Sequence, residues 1–117
     1  MATSDYDLLI AGGGPAGLTA GLYAVRAKLR TLLIEKLAPG GQAASSYMIE
    51  NYPGFLEGLD GFGLIDRFKK QAEKFGTEFK VGEVREIKEA KEEGKKVWQV
   101  KLDKEIIASL SVIVASG

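Results

Sequence analysis

Six consecutive residues, Gly12-Gly13-Gly14-Pro15-Ala16-Gly17, constrain the fold of this chain more than any other feature. They follow a short apolar run, Tyr6 to Ala11, which predicts a strand buried on both faces of a parallel sheet. They open a segment from Pro15 to about Lys28 that predicts a helix, with proline in the first turn, where its missing N–H costs little. Thr31 to Glu35 predicts a second buried strand, so the three elements form a β-α-β unit.

The glycines match the pattern G-x-G-x-x-G, and each has a physical role between a strand and a helix. Gly12 permits the tight turn, Gly14 lets a pyrophosphate approach the backbone, and Gly17 allows close contact between helix and strand. The helix N-terminus adds N–H donors and partial positive charge. Glu35 ends the second strand, where its carboxylate can accept hydrogen bonds from ribose hydroxyls and disfavours a 2′-phosphate. These residues predict a site for an adenine dinucleotide, FAD or NAD.

Composition excludes several classes of chemistry. Sixteen basic and sixteen acidic residues cancel, so no net charge attracts nucleic acid. The chain has no cysteine and no histidine, which excludes thiolate metal sites, a redox dithiol and histidine-based catalysis by the chain itself. Leu8 to Val25 is uncharged, but five glycines and Pro15 interrupt it, which argues against a membrane span or a signal peptide. We therefore expect a cytoplasmic protein whose chemistry comes from a bound cofactor.

The remainder of the chain predicts further α/β structure. Residues 37–59 form a long connection rich in small and polar residues, which suggests a functional loop. Asp60 to Phe75 predicts an amphipathic helix with Asp60 as N-cap and Gly76 as its stop. Glu78 to Ala108 predicts short strands with a solvated hairpin tip, and Leu110 to Ala115 another buried strand. The predicted fold is a three-layer α/β Rossmann-like unit with a small antiparallel β-meander.

Four motifs resemble, in order and spacing, those of the low-molecular-weight thioredoxin reductases, a branch of the pyridine nucleotide-disulfide oxidoreductases. They are Gly-Gly-Gly-Pro-Ala-Gly, then Gly-Gly-Gln at 40–42, then Glu-Asn-Tyr-Pro-Gly at 50–54, and finally Ala-Ser-Gly at 115–117. The resemblance covers essentially the whole chain, and it favours FAD over NAD. In the last of these motifs the family commonly has Ala-Thr-Gly, and Ser116 keeps the side-chain hydroxyl of that threonine.

The resemblance implies a set of FAD contacts. The pyrophosphate would lie along the glycine turn, and Glu35, with Lys36 beside it, would hold the adenosine ribose. Val84 would offer its backbone to the adenine. The other implied contacts, at the flavin end and near the close of the chain, are Gly41, Gln42, Asn51, Ser116 and Gly117. With the glycine motif, the predicted cofactor residues are Gly12, Gly13, Gly14, Pro15, Ala16, Gly17, Glu35, Lys36, Gly41, Gln42, Asn51, Val84, Ser116 and Gly117; none is predicted to be catalytic or a metal ligand.

The resemblance also implies that residues 1–117 are the N-terminal part of an FAD-binding domain. The family's NADPH domain, its Cys-x-x-Cys dithiol and the segment that completes the FAD domain have no counterpart in this sequence. The complete enzyme would pass hydride from NADPH to FAD and electrons on to a thioredoxin-like protein, whereas this chain alone would be inactive and prone to self-association. Two alternatives stay open: part of a cysteine-independent oxidoreductase that uses ferredoxin, quinone or oxygen, and a stand-alone adenine-dinucleotide-binding module.

Overall fold

The structure, a computed structural model, describes residues 5–36 and 48–116. Its described elements are two helices and six strands, in the order β1 (Tyr6–Ala11), α1 (Pro15–Arg26), β2 (Thr31–Glu35), α2 (Gly61–Lys74), β3 (Glu78–Val81), β4 (Glu86–Glu92), β5 (Lys95–Lys101) and β6 (Ile106–Val114). Neither described helix is long and apolar enough to cross a membrane.

The strands form one sheet in the order β3-β2-β1-β6-β5-β4. The first four strands of this order run parallel, and β5 and β4 continue it as an antiparallel meander. The long strand β6 belongs to both parts. It pairs with β5 through Ile106 to Ser109 and with β1 between Ser109 and Val114.

Two hydrophobic clusters divide the structure into three layers. On one side of the parallel strands, Leu8, Ile10 and Leu33 pack against Leu18 of α1 and Ile65 of α2. Alternate residues of β1 and β2, namely Leu9, Leu32 and Ile34, point the other way because side chains alternate across a strand. They pack against Val100, Leu102 and Ile107 of the meander and its connections. This arrangement confirms the predicted α/β fold.

Local sequence explains the element boundaries. Gly14 is the N-cap of α1, Pro15 stands in its first turn, and Ala27 is its C-cap, so the helix ends slightly before the predicted Lys28. Asp60 caps α2 as predicted, because its Oδ1 accepts a hydrogen bond from the N–H of Gly63 at 2.6 Å. Glu93 and Gly94 have positive φ angles and connect β4 to β5 in the predicted hairpin.

The strand predicted over Leu110 to Ala115 is expected to be buried on both faces in the complete domain, and in this chain it is partly exposed. Leu110 to Ala115 does contribute to a strand, β6, but Leu110, Ile113 and Val114 are 47%, 40% and 66% exposed. Beyond Ser109, β6 pairs with β1 on one side only among the described strands. A continuous apolar run indicates two faces suited to burial, but burial itself requires layers that cover both faces.

Candidate dinucleotide-binding site

The glycine turn between β1 and α1 is enclosed by backbone on several sides. Gly12 has a φ angle of 125°, which favours glycine, and its N–H donates to the carbonyl oxygen of Ile34 at 2.9 Å. A Cβ atom at Gly12 would overlap the carbonyl of Ala115, just after β6. Gly12 is therefore required both by its conformation and by the close approach of another strand.

Because Gly17 has no side chain, α1 can pack closely against this turn. A Cβ atom at Gly17 would overlap the carbonyl oxygen of Gly12. Gly14, in contrast, has an extended backbone with φ −78° and ψ −172°, which any residue adopts. No side chain of the described residues caps the helix at this position, and both Pro15 and Ala16 are exposed. The first turn of α1 thus presents N–H donors and the positive end of the helix dipole to an open surface.

The Glu35 carboxylate lies directly over the turn. Its Oε2 accepts a hydrogen bond from the N–H of Gly13 at 2.6 Å, and its Oε1 accepts one from the N–H of Lys36 at 2.7 Å. A Cβ atom at Gly13 would lie 3.1 Å from the Cβ of Glu35, so glycine leaves room for this arrangement. Each carboxylate oxygen can accept a further hydrogen bond. The carboxylate is therefore held in place with acceptor capacity left for a ligand's hydroxyls.

A cleft of about 240 Å³ opens beside this carboxylate, at the carboxyl ends of the four parallel strands. It is lined by Ala11, Gly12, Ile34, Glu35, Lys36, Gly82, Glu83, Val84 and Ser116. Five of the residues predicted from the sequence meet here: Gly12, Glu35, Lys36, Val84 and Ser116. Sequence reasoning missed Gly82 and Glu83. The rule that ligands bind at the carboxyl ends of parallel strands would have found them if β3 had been assigned as such a strand.

Charged side chains form a chain at the edge of this cleft. Lys36 Nζ lies 3.8 Å from Glu83 Oε1, and Arg85 NH2 lies 3.3 Å from Glu83 Oε2. Arg85 Nε in turn contacts Asp103 Oδ1 at 2.7 Å. The pKa of Arg85 is raised, first by its hydrogen bond to Asp103, then by the negative charges of Asp103 and Glu83. Glu83 thus lies between two cations, one of which is also bound by Asp103.

Among the described residues, the predicted Asn51 does not line this cleft. Asn51 is exposed and borders a separate cavity of about 510 Å³, formed by its own neighbours from Glu50 to Leu56. That segment is anchored by a two-way backbone pairing between Ile49 and Leu59 and by contact of the Tyr52 and Phe68 rings. Gly41, Gln42 and Gly117 lie outside the described residues.

A larger cavity, of about 620 Å³, lies at the opposite ends of the strands. Its lining includes Tyr6, Leu32 and Glu78, which stand at or near the amino ends of β1, β2 and β3. Burial and the neighbouring Glu78 raise the pKa of Tyr6 there. Open α/β sheets bind ligands beyond the carboxyl ends of their strands. We therefore assign the candidate site to the smaller cleft, which is also lined by five of the predicted residues.

Comparison with known proteins agrees with this geometry. Residues 6–117 match the family model described as pyridine nucleotide-disulphide oxidoreductase. The chain is 44% identical over 112 residues to a thioredoxin reductase of Bacillus subtilis, and 42% identical over 116 residues to one of Treponema pallidum. These alignments cover 96% and 97% of this chain, but only 34% and 36% of the two relatives.

A solved structure gives the same result. The crystal structure of thioredoxin reductase from Streptococcus pyogenes superposes with a TM-score of 0.87 at 38% identity, covering 96% of this chain and 35% of that one. The chain therefore spans about a third of the length of the thioredoxin reductases it matches. Because the family model matches residues 6–117, this chain belongs to the pyridine nucleotide-disulphide oxidoreductase family.

Proposed function

We propose that this chain binds FAD and forms the first part of the FAD-binding domain of a thioredoxin reductase-like oxidoreductase. The observation that carries the proposal is the Glu35 carboxylate, held by the Gly13 N–H at 2.6 Å over the glycine turn. This contact joins a ribose acceptor to a phosphate-binding turn, the two features that an adenine dinucleotide requires. The family match and the similarity to thioredoxin reductases support FAD as that dinucleotide.

The residues present fit the adenosine and pyrophosphate half of FAD. In this proposal, the uncapped start of α1 binds the pyrophosphate through its N–H groups, while Glu35 accepts hydrogen bonds from the adenosine ribose. Val84, which also lines the cleft, offers its backbone to the adenine. The bound flavin would supply the redox chemistry, and these residues would orient it. Contacts of Gly41, Gln42 and Asn51 with the flavin half, and of Gly117 with the cofactor, stay predictions.

For the whole protein, we propose transfer of hydride from NADPH to FAD and then of electrons to the disulfide of a thioredoxin-like protein. Similarity to proteins named thioredoxin reductase supports this reaction. The chain itself contains no cysteine and so supplies no thiolate for disulfide exchange. The nicotinamide site and the dithiol would then belong to residues other than these. A cytoplasmic location stays a prediction.

The test is a titration of the 117-residue chain with FAD, followed by flavin fluorescence and calorimetry. The variant Gly14→Val places a branched side chain where the pyrophosphate would approach, at a position whose extended backbone accepts valine. We expect it to weaken binding about tenfold or more, a loss of roughly 1.4 kcal/mol or more. Thr19→Val, at an exposed position of the same helix, is the matched control and should bind as the parent does. Equal binding of FAD by Gly14→Val and the parent would remove the glycine turn from the site.

A further inference from the structure

Glu83 enters the cleft because the end of β2 and the turn after β3 are bonded together. The N–H of Gly82 donates to the carbonyl oxygen of Glu35 at 2.9 Å. This hydrogen bond places the next residue of the turn, Glu83, beside Lys36, the residue that follows Glu35. The Glu83 side chain is 36% exposed, while that of Lys36 is 67% exposed. The two side chains meet at the edge of the cleft, with the carboxylate on its more buried side.

The charges of the cleft are dominated by carboxylates. Among the described residues, its charged lining consists of Glu35, Glu83 and Lys36, so two negative charges face one positive charge. Lys36 is also the cation nearest to Glu35 along the chain, and an ammonium at that position is well suited to bind a phosphate. Glu83 already contacts that ammonium at 3.8 Å. Arg85, which also contacts Glu83, is held on its other side by Asp103 at 2.7 Å.

We propose that Glu83 is a positioning residue for nucleotide selectivity: by holding the Lys36 ammonium, it prevents Lys36 from binding a phosphate on the 2′-hydroxyl of the adenosine ribose. The inference rests on the proposed dinucleotide site and adds a second determinant to it. Glu35 rejects a 2′-phosphate by direct repulsion, since it lies against the ribose. Glu83 acts one step away, by keeping the neighbouring cation occupied.

The experiment compares two ligands that differ only in that phosphate, ADP-ribose and 2′-phospho-ADP-ribose. Their dissociation constants are measured by calorimetry at low ionic strength, where exposed charges are least screened. The quantity of interest is the ratio of the two constants in each variant. For Glu83→Gln, we expect the preference for ADP-ribose to fall about threefold to tenfold, the size of effect that one nearby exposed charge produces. Higher salt should reduce this change.

Two further variants separate the mechanism from a general charge effect. Glu86→Gln removes the same charge from an exposed position at the start of β4, outside the described lining of the cleft, and should leave the ratio unchanged. The double variant Lys36→Gln, Glu83→Gln removes the cation as well, so the gain in 2′-phosphate binding should disappear. Thermal denaturation of each variant checks that it is folded.

The outcomes distinguish this inference from the proposed function. An unchanged ratio in Glu83→Gln, with ADP-ribose still bound, overturns the inference alone. A changed ratio that persists in the double variant also overturns it, because Glu83 would then act without Lys36. Failure of the parent chain to bind ADP-ribose overturns the proposed function, and this inference with it.

Discussion

At the scale of single residues, the candidate site depends on positions where no side chain fits. Gly12 and Gly17 both lie against backbone carbonyls, which move less easily than side chains. The glycines of the motif are therefore needed for different physical reasons. Gly12 and Gly17 are required by the fold itself, whereas Gly13 leaves room for Glu35, and Gly14 has a backbone that other residues can adopt.

Gly17→Ala should destabilise the fold. Its methyl group would overlap the carbonyl oxygen of Gly12, so helix and strand must separate. We expect a loss of about 1–3 kcal/mol in the free energy of unfolding, despite the better helix propensity of alanine. Denaturant unfolding is the measurement. Gly82→Ala is the control, since its Cβ atom would meet Leu102 at an ordinary 3.6 Å. Similar losses in both variants would show that close packing at Gly17 is not the cause.

At the scale of elements, the amino ends of β1 and β2 are joined by charge as well as by backbone pairing. Asp7 Oδ2 accepts hydrogen bonds from the N–H and Nε of Arg30, and Asp7 Oδ1 accepts one from NH2 at 3.0 Å. The hydrogen bonds from Arg30 lower the pKa of Asp7 below its ordinary value of 3.8. Ionised Asp7 therefore supports the pairing of the two strands.

The lowered pKa of Asp7 predicts a dependence of stability on pH. A carboxyl whose pKa is lower in the folded state contributes stability that is present above its unfolded pKa and is lost as the pH falls through the folded pKa. Asp7→Asn should thus be less stable than the parent at neutral pH, and the difference should close below about pH 4. Chemical denaturation from about pH 7 to about pH 2 measures this.

A control for the Asp7 prediction is Asp66→Asn, which removes an exposed helical ion pair with Lys70 at 2.9 Å. Such a pair contributes little, so this variant should match the parent at neutral pH. A constant difference between Asp7→Asn and the parent across the whole pH range would contradict the role of the charge.

The elements differ in how well the sequence predicts them. The local sequence directly predicts four elements, β1, α1, β2 and α2. Each has regularly spaced or continuous apolar residues, bounded by glycine, proline or a capping side chain. The meander was predicted only in outline. Val97 and Val100 are both buried at 1% and 0%, which does not follow the strict alternation expected of a half-buried strand. Their burial depends on which distant element covers each face, and no local pattern contains that information.

The candidate site divides in the same way. Glu35 was predictable because its distance from the glycine motif along the chain is characteristic of the β-α-β unit. Glu83 was not, because it reaches Lys36 only through the parallel pairing of β2 with β3, which joins residues that are far apart in sequence.

At the scale of the whole molecule, the outer edge of β6 predicts self-association. Beyond Ser109 this edge has no partner among the described strands, and Leu110, Ile113 and Val114 are exposed there. An exposed apolar edge favours pairing with a second chain. We expect the apparent mass in light scattering to rise with protein concentration. A constant monomer mass would contradict this prediction.

A pair of lysine variants tests where such association occurs. Val114→Lys puts a charge on the open part of the edge and should weaken association about tenfold. Ile106→Lys changes a similarly exposed residue, 59% against 66%, in the part of β6 that already pairs with β5. This control should associate as the parent does. An equal effect of both variants would place the contact elsewhere.

The contact between Gly12 and the end of β6 also has a consequence for the order of folding. β1 lies between β2 and β6. The carbonyl oxygen of Tyr6 in β1 accepts a hydrogen bond from the hydroxyl of Ser109 in β6, 103 residues away. Pairings between residues so far apart form slowly, because a long loop must close first. During synthesis the glycine turn emerges before β6, and we expect it to reach its final shape only when β6 arrives beside it. Acquisition of the nucleotide would thus mark the moment at which β6 has joined β1.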